Sequence, residues 1–163
     1  MKKDISCVID KMISYYKGDK KRINHFLKVY SFCKTIGEIE GLDEEAQYIL
    51  EIAGATHDIG IKVSEEKYNA SNGKYQEIEG PKVAREMLSK LNINDSVIER
   101  VCFLIGHHHT YNKIDNIDYQ ILIEADFLVN IDEDNLGENE IEIIKKKYFK
   151  TGAGKRFLEN MYQ

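Results

Sequence analysis

Apolar residues recur every three to four positions along most of the chain, and strict alternation is scarce, so the pattern is helical nearly throughout. It predicts a first helix from Asp4 to Lys17, broken by Gly18, and a second from Lys20 to Glu40 that stops at Gly41. Asp43 caps a third, which reaches His57-Asp58 and ends near Gly60. Residues 61–75 read as a loop or a ragged short helix, because Asn69, Ser71, Asn72 and Gly73 are turn formers. A helix follows, with Pro81 near its first turn or at a kink and Val83, Ala84, Met87 and Leu88 on its apolar face. Asp95 or Ser96 caps the next, which carries Val97, Val101, Leu104 and Ile105. Thr110 to Asn116 form a polar loop, an apolar helix spans Asp118 to Ile131, and an acidic loop covers Asp132 to Glu140. Two short helices, split by Thr151-Gly152-Ala153-Gly154, close the chain. No repeat, linker or low-complexity tract interrupts this order, so the expectation is one all-α domain over residues 1–163.

Composition narrows the choice of partners. The 163 residues suffice for one core. A net charge of -5 argues against a general nucleic-acid binder, which needs a basic surface. A local cationic site for a small anion stays compatible with an acidic protein. Cys7, Cys33 and Cys102 are odd in number, widely spaced and form no CxxC pair, so they read as reduced thiols rather than zinc ligands. Asp4, Asp10 and Lys11 interrupt any signal-peptide core, and no run approaches the ~20 apolar residues of a membrane span. A cytoplasmic protein without membrane contact is expected, and its oligomeric state stays open, a homo-oligomer included.

The informative residues are polar ones on apolar faces. His25 falls in line with Val29, Phe32 and Ile36. His57 aligns with Ala46, Leu50 and Ala53, and Asp58 lies about 100° further round that helix, with Gly54 leaving room beside it. Asp126 shares a face with Leu122 and Val129, inside the run Ile121 to Val129. His108 follows Val97, Val101 and Leu104 at helical spacing, within the run His107-His108-His109. Taken singly, each has an ordinary explanation as a hydrogen-bonded core residue, a helix end or half of an ion pair. Four separate helices each turning a His or an Asp inward make a shared cation the better one, because buried carboxylates and imidazoles are costly unless paired. Imidazole nitrogen with carboxylate oxygen suits Zn, Mn, Fe, Co or Ni better than Mg or Ca.

An isolated His, a His-Asp doublet at the end of the next helix, a histidine pair and a later Asp resemble the HD-domain superfamily of metal-dependent phosphohydrolases. The matching residues are His25, His57-Asp58 within His-Asp-Ile-Gly, His108 and His109, and Asp126 within Glu-Ala-Asp. The resemblance covers about Arg22 to Asn130. It implies an all-α bundle holding a divalent ion (Mn, Fe, Co, Ni, Zn or Mg) by His25, His57, Asp58 and Asp126. It also implies hydrolysis of a phosphate ester, of a nucleotide or a related small phosphorylated compound. Asp58, His108 and His109 are then catalytic, and Arg22 and Lys62 contact the substrate phosphate. Two departures stand out. Some members hold two ions with a further His between the doublet and the pair, whereas this chain has none between His57 and His107. Gln76 or Glu77 stands near that place, which tilts the expectation to one ion. A lysine often follows His-Asp-x-Gly directly, but here Ile61 intervenes before Lys62. Competing readings are a metal-binding regulatory or ligand-binding module without turnover and, behind it, an HD-like di-iron oxygenase.

Overall fold

Each predicted helix forms, and the turns between them fall where capping chemistry puts them. The computed structural model describes residues 2–163, with side chains from Asp4 onward. Among these residues there are nine helices and no strand. Helix α1 is Lys2–Tyr15 and α2 is Lys20–Glu40. The Asp19 carboxylate accepts from the Arg22 N–H at the start of α2, and Gly41 ends it in a left-handed conformation (φ 76°) that a side chain would resist. Helix α3, Glu44–Thr56, starts on Asp43, whose carboxylate accepts from Ala46 N. It stops one residue before the His57-Asp58 doublet, so both residues sit in the turn that follows.

One open alternative is decided and three elements differ from the pattern reading. Of the loop and the short helix that residues 61–75 allowed, the helix forms: Ile61–Tyr68 is α4, closed by Asn69 in the left-handed region. Helix α5, Gly73–Ser89, begins eight residues before Pro81, so the proline lies in the helix interior rather than its first turn. Asn72, read as a turn former, is instead its N-cap. Helix α6, Asp95–Ile105, has Asn94 as its N-cap rather than Asp95 or Ser96. The acidic loop shrinks, because α7 spans Ile117–Glu133 and α8 starts at Glu138 and ends at Tyr148. Thr151 caps the last helix, α9, Gly152–Tyr162. Apolar periodicity fades on exposed acidic faces, so pattern alone cut α7 short.

Helices α2, α3 and α7 pack mutually, α6 lies on α3, and α5 pairs with both α4 and α6. The crossing of α2 and α3 is close because Gly54 has no side chain: a Cβ there would lie 2.9 Å from Cys33 Sγ and 3.2 Å from Tyr30 Cα. Helix α7 is enclosed nearly all round, and its interior polar groups are accounted for one by one. Asp118 receives the Arg100 guanidinium. Gln120 donates to Glu124, and Glu124 accepts from the Thr151 backbone and hydroxyl at the start of α9. The remaining one is Asp126. No helix among the described residues is long and apolar enough to cross a membrane.

Candidate metal centre

Asp126 projects from mid-α7 toward the α2–α3 crossing, where His25, His57 and Asp58 meet it. His25 Nε2 lies 3.1 Å from His57 Nε2, 3.2 Å from Asp58 Oδ2 and 3.2 Å from Asp126 Oδ1. His57 Nε2 lies 3.5 Å from Asp58 Oδ2 and 3.4 Å from Asp126 Oδ1. The opposite oxygen of Asp58 faces His108 Nε2 at 3.4 Å. Asp58, His108 and His109 form a second group of donors that shares this carboxylate with the first. Tyr16, buried at the end of α1, donates its hydroxyl to the Asp58 carbonyl at 2.7 Å and fixes the turn from below.

The hydrogen bonds on the far sides of the rings decide what the near sides offer. His57 Nδ1 is 2.8 Å from the Gly54 carbonyl, His108 Nδ1 2.8 Å from the Ile105 carbonyl, and His25 Nδ1 2.8 Å from Glu133 Oε2. A carbonyl or carboxylate oxygen only accepts, so each Nδ1 carries the proton and each Nε2 lone pair is left for the interior. Two such nitrogens facing each other at 3.1 Å need a proton or a cation between them. His108 Nε2 and Asp126 Oδ1 are moreover buried without a hydrogen-bond partner. Unpaired buried donors and acceptors are rare because they are expensive. The donors of His25, His57 and Asp58 lie close enough together to fit a divalent ion, and Asp126 Oδ1 faces both rings at 3.2 and 3.4 Å.

Without an ion, the carboxylates favour the protonated forms of His25 and His108. Burial opposes protonation of His25, but Asp126 and Asp58 outweigh it and push its pKa up to about 11. Burial likewise opposes protonation of His108, and Asp58 raises it nonetheless. Asp58 and Asp126 are driven below the usual carboxylate range: against burial, His57, His108 and His25 favour ionised Asp58, and His25 and His57 favour ionised Asp126. His109 goes the other way, down to about 4, through burial and the neighbouring His108.

Of the histidine run, His108 and His109 come to Asp58, while His107 turns away to the Phe103 carbonyl and stacks on the Phe103 ring. Gln76, not Glu77, stands beside the second group: its Oε1 is 3.1 Å from His109 Nε2, and its amide donates to the Ser71 carbonyl. Glu77 instead accepts from His109 N and Thr110 Oγ1 and so braces the turn. A cleft of about 250 Å³ opens onto His25 and Asp58, with Lys21, Arg22, Asn130 and Glu133 in its wall. Arg22 is there but engaged, by Asp19 at 3.1 Å and by Glu65. Lys62 is not brought to the cleft: its ammonium is 3.4 Å from the Tyr15 carbonyl and lies over the Tyr15 ring. Glu133 is the site residue that pattern reading missed. The pattern predicts a loop there, yet Glu133 lies seven positions after Asp126, on the same face of α7, and that spacing is the available signal.

Comparison with protein families matches residues 22–145 to the HD domain. The chain belongs to the HD-domain family. A 1.45 Å crystal structure of a predicted HD superfamily hydrolase from an uncultured Thermotogales bacterium has the same fold. Its TM-score is 0.67 at 20% identity, over 99% of this chain and 84% of that one. No curated protein matches the chain.

Proposed function

We propose that this protein hydrolyses a phosphate ester, of a nucleotide or another small phosphorylated compound, with one divalent ion held by His25, His57, Asp58 and Asp126. The observation that carries the reading is the pair of facing Nε2 atoms of His25 and His57 between two ionised carboxylates. The group formed by Asp58, His108 and His109 would take a second ion only in place of the proton on His108. An ion bound by such donors supplies Lewis acidity, lowering the pKa of water toward ~7 and polarising a phosphoryl oxygen.

The chain's own groups do the rest. Arg22, in the cleft wall, presents a planar fork that matches two phosphate oxygens, and it exchanges Glu65 for the substrate. Lys62 reaches the phosphate only by leaving the Tyr15 carbonyl. Asp58 orients the attacking water by its position between the two donor groups. His108 Nε2, unpartnered and kept basic by Asp58, holds the proton that the leaving oxygen takes. His109, neutral at working pH, donates from Nε2 to the Gln76 amide oxygen, which leaves Nδ1 as its acceptor.

The test has two stages. Elemental analysis of the purified protein and of Asp58→Ala should find a divalent metal in the first and a loss in the second; equal content in both sinks the site. A screen of nitrophenyl phosphate mono- and diesters, nucleotides, dinucleotides and sugar phosphates with Mn, Co, Ni, Fe, Zn and Mg should then find turnover. A protein that binds metal and turns over none of them is a binding module instead.

A further inference from the structure

Of the four rings that donate through Nδ1, three use backbone carbonyls and one uses a side chain: His25 donates to the Glu133 carboxylate at 2.8 Å, across 108 residues of sequence. Glu133 is the last residue of α7, where the helix dipole disfavours an acid. It is nevertheless held mostly out of solvent, its side chain 17% exposed, with one oxygen on His25 and the other 3.8 Å from the Lys28 ammonium. Lys28 and His25 lie three residues apart on α2, and Glu133 and Asp126 seven apart on α7, so each pair shares a helix face. Helix α7 therefore reaches His25 twice, with Asp126 at Nε2 and Glu133 at Nδ1.

We infer that Glu133 is a positioning residue of the metal centre, which locks the His25 ring and its Nδ1–H form and strengthens Nε2 as a donor to a divalent ion. The inference rests on the metal-centre reading above. The physical reason is that a carboxylate accepting the ring proton orients the imidazole and raises the basicity of its other nitrogen, which a carbonyl does less. Lys28 holds the carboxylate in place by its second oxygen. A plain tie between α2 and α7 would need the same contact but would not alter metal affinity beyond its effect on folding.

Cobalt(II) titration of the metal-free protein separates the two. Affinity is read by competition with a chelator, ligand geometry by the visible d–d bands, and folding by urea unfolding of the metal-free forms. Glu133→Ala is expected to weaken cobalt binding about 10–100-fold and to shift the bands. Glu133→Gln keeps an acceptor for the Nδ1 proton and is expected to fall between Ala and wild type, with a metal-free urea midpoint near that of wild type. Wild-type affinity and spectrum in Glu133→Ala overturn the inference while leaving the metal centre standing. So does an affinity loss in both variants that merely tracks their urea midpoints. A wild-type protein that takes up no cobalt overturns the metal centre itself.

Discussion

On one side of Asp58 the partners ride on helices; on the other they ride on a turn. His25 and Asp126 project from the interiors of α2 and α7, and His57 follows directly on α3, with glycine-enabled packing fixing the distances. His108 and His109 come after α6 has ended and are steadied by α5 through Glu77 and Gln76, and by the Tyr119 hydroxyl from α7. The first side offers three imidazole or carboxylate partners beside Asp58, and the second offers two imidazoles with an amide near one of them. Rigid elements hold a site more precisely than turns do. The contrast predicts one tight ion position with a looser neighbour suited to substrate or to a weaker ion.

The severest way to break that contrast is to remove what the two sides share. Asp58→Ala takes away both oxygens at once, and metal content and ester hydrolysis should both fall to background, measured by elemental analysis and by the best substrate of the screen. Removing one partner from each side comes next. His57→Ala should strip the ion, whereas His108→Ala should keep it and lose turnover. Metal retained in His57→Ala, or lost in His108→Ala, reverses the assignment of the tight side.

Glycine substitutions press on the supports with a smaller effect. A Cβ at Gly54 meets Cys33 Sγ and the Tyr30 backbone, so Gly54→Ala forces α2 from α3 and His25 from His57. A Cβ at Gly60 would lie 2.7 Å from Gly80 N and 2.9 Å from the Gln76 carbonyl, so Gly60→Ala pushes on the helix that steadies His109. Each should cost ~1–3 kcal/mol by urea unfolding, the usual range for overpacking. Metal affinity should drop more in Gly54→Ala, and equal drops would show the two sides to be one mechanical unit.

The difference between the sides also governs how much of each the chain's pattern disclosed. His25 and Asp126 were legible because a polar residue on an apolar helical face breaks a period that can be counted. His57-Asp58 was legible as an anomaly, though the helix ends before it. The histidine run was harder, since helical spacing extends only to His108 and says nothing about a turn. That His107 turns back to Phe103 and His109 forward to Gln76 is settled by the fold of residues 106–110 against α5. Helix α4 was legible only as one of two alternatives, and the first half of α5 was hidden, because their exposed faces are polar and Asn72 looks like a loop residue until it caps a helix. Lys62 falls one position beyond the place where the resemblance puts a lysine, and the start of α4 turns it onto Tyr15. Glu133 needed a tertiary contact between residues far apart in sequence, and only its register with Asp126 hinted at it.

The mildest test acts on the turn alone. Tyr119 is fully buried, and its one hydroxyl proton is shared between the His107 carbonyl at 2.7 Å and the Thr110 carbonyl. Burial pushes its pKa up to about 12, so the phenol remains a donor across the working range of pH. In Tyr119→Phe the His107 carbonyl keeps the Thr110 N–H, but the Thr110 carbonyl loses the hydroxyl. A buried acceptor left in that state costs about 1–3 kcal/mol, and the lower end is expected because the turn can relax toward water. Urea unfolding measures this loss. Cobalt affinity should stay within twofold of wild type, because nothing in the substitution reaches His25, His57 or Asp126. Turnover should fall modestly as His108 and His109 lose definition. A tenfold loss of cobalt affinity would mean that the turn helps to hold the tight ion, and the division at Asp58 would have to be abandoned.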